Sequence, residues 1–123
     1  MPSPATLETF IAAVERGAHA QAIRDFYTDD ASMQENQAPP RRGLSMLVSH
    51  EEAVMSRTAH VESHCVRPVF VHGDHVVIRW IFIFTDKEGR ERRMEELAWQ
   101  RWEGERIAQE EFFYDPAQMK APG

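Results

Sequence analysis

Val76-Val77-Ile78-Arg79-Trp80-Ile81-Phe82-Ile83-Phe84-Thr85 is the stretch that decides the fold. It is β-branched and aromatic nearly throughout, with one charge, and predicts a strand buried on both sides. Alternation sends Val76, Ile78, Trp80, Phe82 and Phe84 to one face and Val77, Ile81 and Ile83 to the other. Tight turns bound it. Gly73-Asp74, between His72 and His75, reads as a hairpin, and Asp86-Lys87-Glu88-Gly89 as the next turn. Outward from these turns lie further strands, Val61 to Val71 before and Glu91 to Trp102 after. Glu103-Gly104 then turns the chain into Ile107 to Tyr114. Asp115-Pro116 stops the sheet, and Ala117 to Gly123 reads as a frayed tail.

The first half follows a different period. Ser3 before Pro4 is a helix start, and Leu7, Phe10, Ile11 and Val14 follow at helical spacing up to Gly17. A short helix covers about Ala20 to Phe26, ended by an Asp29-Asp30 turn, and Ala31 to Glu35 is a short strand. Pro39-Pro40 forces an extended loop. A third helix runs from about Gly43 to Arg57, with Leu44, Leu47, Val48, Val54 and Met55 as its apolar stripe and His50 at the edge of that stripe. Segregated helices and strands mean α+β. Helices cover only one face of such a sheet, so Val77, Ile81 and Ile83 need another surface, and a homodimer is expected.

Composition bounds the function. The 123 residues make one domain, 1–123, with 42% hydrophobic and 28% charged residues. Twenty acidic against 14 basic residues give a net charge of −6, which argues against nucleic-acid binding. No stretch approaches the ~18 apolar residues of a membrane span. Met1-Pro2-Ser3-Pro4 has neither the basic region nor the apolar run of a signal peptide, so a cytoplasmic location is expected. One cysteine, Cys65, rules out an internal disulfide and reads as a small buried hydrophobe.

The element order, the segment Phe26-Tyr27-Thr28-Asp29-Asp30-Ala31 and the closing Trp99-Gln100-Arg101-Trp102 … Phe112-Phe113-Tyr114-Asp115-Pro116 resemble the nuclear-transport-factor-2-like superfamily. Within it the chain most resembles the SnoaL-like group, related to polyketide cyclases and ketosteroid isomerases. The resemblance implies a cone-shaped curved antiparallel sheet wrapped around three N-terminal helices, with an internal pocket and dimerisation through the convex face. It implies a small hydrophobic ligand and no cofactor. It places the isomerases' general base at Glu35. It places their oxyanion donors at Phe10 and Ala98, which cannot donate, so steroid-type isomerisation is not expected.

If Ala98 faces the pocket, so do Met94, Glu96, Gln100 and Trp102, and on the last strand Glu110, Phe112 and Tyr114. Two inward carboxyls in an aromatic pocket are costly unless paired. Either they share protons in a catalytic range, or they pair with Arg67, Arg79 or Arg101, or the register turns them outward. The candidate catalytic residues are Glu35, His50 and Glu96; the candidate ligand-binding residues are Phe10, Trp80, Glu110, Phe112 and Tyr114. His50, His64 and Glu96 lack ligand spacing, so no metal is expected. Two functions fit: cofactor-free isomerase, cyclase or hydratase chemistry on a hydrophobic cyclic metabolite, or a non-catalytic binding or scaffold module.

Overall fold

The computed structural model describes residues 1–120. Helix α1 spans Pro4–Glu15 and α2 His19–Phe26; strand β1 spans Tyr27–Glu35 and β2 Arg41–Arg42; α3 spans Leu44–Ser56. Four long strands follow: β3 Thr58–His72, β4 His75–Asp86, β5 Glu91–Glu103 and β6 Arg106–Phe113. A 3-10 turn, Pro116–Met119, closes the described chain. The Ser3 hydroxyl caps α1 by accepting from the Thr6 N–H at 3.1 Å, and Pro4 loses no donor there. Gly17, at φ +85°, takes the left-handed position that ends the helix.

The strands form one six-stranded sheet in the order β2-β1-β6-β5-β4-β3. It is curved and does not close on itself; with the three helices it makes the α+β cone. The pairs from β3 to β6 are antiparallel, as the turns predict, but β1 lies parallel to β6. Asp29-Asp30 is not a turn after α2. It lies inside β1, where the register against β6 shifts between Tyr27 and Ser32, so the chain passes from helix to strand without leaving the sheet. β2 was not foreseen; two residues after Pro39-Pro40 pair with Ser32 and Met33.

β4 alternates as its sequence dictates. Val76, Ile78, Trp80 and Phe82 are buried on the concave face, beneath the helices. Val77, Ile81 and Ile83 are half-buried on the convex face, beside exposed Phe70, Leu97 and Phe113. The core joins α1 to the sheet through Phe10, whose ring meets Trp102 edge-on at 5.9 Å and Phe26 at 5.5 Å.

The tail is more ordered than its composition suggests. The Asp115 carboxylate caps the 3-10 turn, and the Gln118 side chain accepts from the Glu95 N–H at 2.9 Å and donates to its carbonyl at 3.1 Å. The last part of the segment read as frayed, 121–123, lies outside the described residues. No helix among the described residues is long and apolar enough to cross a membrane.

Candidate active site

The concave face and the helices enclose a cavity of about 270 Å³. Its wall includes Glu35 from β1, His50 from α3, Trp80 from β4, Glu96 from β5, and Glu110 and Phe112 from β6. Phe10 and Tyr114 also line it, so the eight residues singled out in the sequence converge on one space. The strand register places the two glutamates there. Glu96 pairs with Trp80 across β4–β5, and Glu110 pairs with Gln100 across β5–β6. Paired residues share a face, and both pairs face inward.

The ion-pair alternative is not what the chain adopts. Arg67 pairs with Glu8, Arg79 with Glu95 and Arg101 with Glu103, all on the outside. The two inward carboxyls are left without a guanidinium, and each meets that cost differently.

Glu110 is fully buried and fully hydrogen-bonded. One oxygen accepts from the Tyr27 hydroxyl, and the other accepts from the Gln100 amide at 2.6 Å. Gln100 in turn accepts from the Trp102 indole N–H at 3.0 Å. Burial pushes the Glu110 carboxyl up to about 7, against the pull of its two donors. The same burial, with Glu110 beside it, raises the Tyr27 phenol well above its usual range.

Glu96 is only 7% exposed and accepts no hydrogen bond from a described residue. Burial raises its carboxyl well above the usual range, and the neighbouring charges of Glu110, Glu35 and Glu51 push the same way. It therefore keeps its proton to higher pH than an ordinary glutamate, and it faces the cavity.

Glu35 stands in the opposite condition. One oxygen accepts from the Arg41 guanidinium at 3.2 Å and the other from the Tyr114 hydroxyl at 2.9 Å, the donor set of a carboxylate. Burial and the Glu35 carboxylate push the Tyr114 phenol up to about 12.

Four polar wall residues escaped the sequence reading: Tyr27, His19, Glu51 and Arg41. His19 is held from both sides, by the Ser63 hydroxyl at 2.9 Å on Nε2 and by Glu51 at 3.4 Å on Nδ1. The group resembles a Ser-His-acid triad, but Ser63 is only 3% exposed and does not line the cavity, so its hydroxyl orients the ring rather than meeting a ligand. Glu51 sits four residues after Leu47, on the stripe of α3, and that spacing was the available signal.

His64 lies opposite Ile81 on the convex face, while Glu96 lies opposite Trp80 on the concave one, so they cannot share a metal. No cluster of three or more metal-ligating side chains occurs among the described residues. Cys65 is half-buried rather than buried. Its N–H donates to Glu15, and burial raises its thiol above the usual range.

The SnoaL-like domain family matches residues 7–110. The chain belongs to that family. Solved structures agree on the fold. A putative SnoaL-like polyketide cyclase from Mesorhizobium loti is 20% identical, with a TM-score of 0.76 over 93% of this chain and 100% of that one. A hypothetical protein with a ketosteroid isomerase-like fold from Catenulispora acidiphila, in complex with trimethylamine, is 17% identical, with a TM-score of 0.79 over 98% and 95%. An LEH-like epoxide hydrolase from M. tuberculosis is 14% identical, with a TM-score of 0.75 over 93% and 83%. At these identities the likeness is one of fold. A comparison with curated proteins gave no match.

Proposed function

We propose that this SnoaL-like protein binds a small, largely apolar molecule in the cavity and moves a proton on it without a cofactor. The reaction class is that of an isomerase, cyclase or hydratase. One observation carries the reading: a buried carboxyl that no described residue hydrogen-bonds, Glu96, shares the cavity with a carboxyl held by two donors, Glu35. Glu96 gives its proton to a basic atom of the ligand while Glu35 takes one from a carbon. Such transfers contribute roughly 10²–10⁴-fold to a rate. Phe10 and Ala98 offer no hydroxyl or carboxyl, so Glu96 supplies the electrophilic assistance that those positions lack. His50 lines the same wall and is a second group able to relay the proton.

The second reading, a binding module without chemistry, is favoured by the two donors already engaging Glu35. Deuterium incorporation beside the carbonyl of a bicyclic ketone, β-tetralone, in heavy water separates the two. We expect the protein to speed this exchange, and Glu35→Gln to abolish the effect while ketone binding stays within about tenfold. Exchange equal in the variant and the parent makes Glu35 structural and leaves the binding module.

The assembly belongs to the same proposal: a cytoplasmic homodimer through the convex face. Support comes from Phe70, Leu97 and Phe113, exposed at 64%, 46% and 40% around half-buried Ile81. Sedimentation of the parent as a dimer and of Leu97→Arg as a monomer is the expected result. A parent that is monomeric at micromolar concentration contradicts it.

A further inference from the structure

We infer that the polar end of the ligand is a basic amine nitrogen, held by the Glu96 carboxyl beside the aromatic row of Trp80 and Phe82. This deepens the reading above and rests on the cavity being a ligand site. It is carried by what each polar group in the wall already has. Glu35 of β1 has Arg41 of β2 and Tyr114; Glu51 of α3 has His19 of α2; Glu110 of β6 has Tyr27 and Gln100. Glu96 of β5 is more than nine-tenths buried, faces the cavity, and accepts nothing from any described residue. A buried carboxyl left in that state asks for a polar partner from outside the chain, and a basic one can take its proton.

The identity of that donor follows from its surroundings. Trp80 sits directly across from Glu96 on β4, and its ring stacks on Phe82 at 5.6 Å and 19°. Phe84 continues the row at 5.9 Å. This aromatic row leaves the Glu96 carboxyl in apolar surroundings, where a base that takes its proton forms a charge-assisted pair stronger than a neutral hydrogen bond. An alcohol or a carbonyl would form only a neutral hydrogen bond there. An anionic ligand would meet four glutamates against Arg41 and two histidines, with Arg41 and His19 already engaged. The cavity, at about 270 Å³, suits an amine with one ring.

The proton balance is simple. A free amine takes the Glu96 proton: the carboxyl O–H breaks, an N–H forms, and a carboxylate–ammonium pair remains. An amine arriving already protonated instead drives that proton into solvent, so binding releases up to one proton per molecule and weakens as the pH falls.

Calorimetric titration with N,N-dimethylbenzylamine tests this, set against isobutylbenzene, its neutral isostere. We expect the amine to bind at least about tenfold more tightly, the margin of one charge-assisted hydrogen bond. Titration in two buffers of different ionisation heat should report proton release. Glu96→Gln should bring the amine within about threefold of the isostere and remove the release, while Glu52→Gln, on the exposed side of α3, should change neither. Equal binding of amine and isostere by the unmutated protein overturns the amine and leaves the cavity as a ligand site. Amine binding that survives Glu96→Gln overturns the assignment to Glu96. Binding of neither probe overturns both this inference and the proposed function.

Discussion

Glu110 and Glu96 occupy neighbouring strands of one concave face, and both carry carboxyls raised by burial, yet the fold treats them in opposite ways. Around Glu110 two strands contribute donors: β5 the chain Trp102 to Gln100 to Glu110, and β1 Tyr27, closing the other side. Around Glu96 there is an aromatic wall and space. A satisfied polar network specifies a core, whereas a buried group left open withholds stability and keeps reactivity available. The first region therefore reads as structure and the second as site.

Removing a link from the satisfied region should have the largest effect. Gln100→Leu keeps the volume but strands a Glu110 oxygen and the Trp102 N–H. We expect a loss of about 3 kcal/mol, or on the order of 10 °C in Tm, by calorimetry or urea titration. A loss below about 1 kcal/mol would mean that the network carries no structural weight.

The next effect is in pH. Glu110 moves from 4.5 unfolded to about 7 folded, so between those values the folded chain holds more protons than the unfolded one. Stability then falls as pH rises through that window, and Glu96, shifted in the same direction, adds to the slope. Urea titrations should find the protein less stable at about pH 8 than at about pH 5, by up to about 3 kcal/mol from Glu110 alone. Stability that rises across the window would contradict the two buried acids.

Breaking the open region should cost least. Glu96→Gln loses no hydrogen bond to a described residue and replaces an acid whose ionised form burial disfavours with an amide of the same shape, so stability at neutral pH should stay within about 1 kcal/mol of the parent. A loss like that of Gln100→Leu would erase the contrast between the two regions.

That contrast was half legible in the sequence. The family resemblance put Ala98 in the pocket, strand alternation from it turned Glu96 inward, and Glu110 followed from the same alignment; a one-residue slip stayed open until the strand pairing fixed the register. Their different fates were not legible, since the partners come from elsewhere in the chain. Tyr27 lies at a helix-to-strand junction, where neither period applies. Arg41 enters through a two-residue edge strand paired to Met33, a contact that no local pattern announces. His19 opens α2 one residue before the expected start, and it faces a hydroxyl 44 residues away. The fold was readable from β4 and its two turns because local periods build it. The site was readable only in the residues that those periods point inward.

Carbon NMR titration of the glutamate side chains, with Glu96 and Glu110 assigned through Glu96→Gln and Glu110→Gln, tests the central claim most directly. The account predicts that both carboxyls titrate well above the surface glutamates. It also predicts that adding N,N-dimethylbenzylamine lowers the Glu96 midpoint most, since Glu110 is already held by Tyr27 and Gln100. A Glu96 carboxyl that titrates among the surface glutamates, near 4.5, would contradict it.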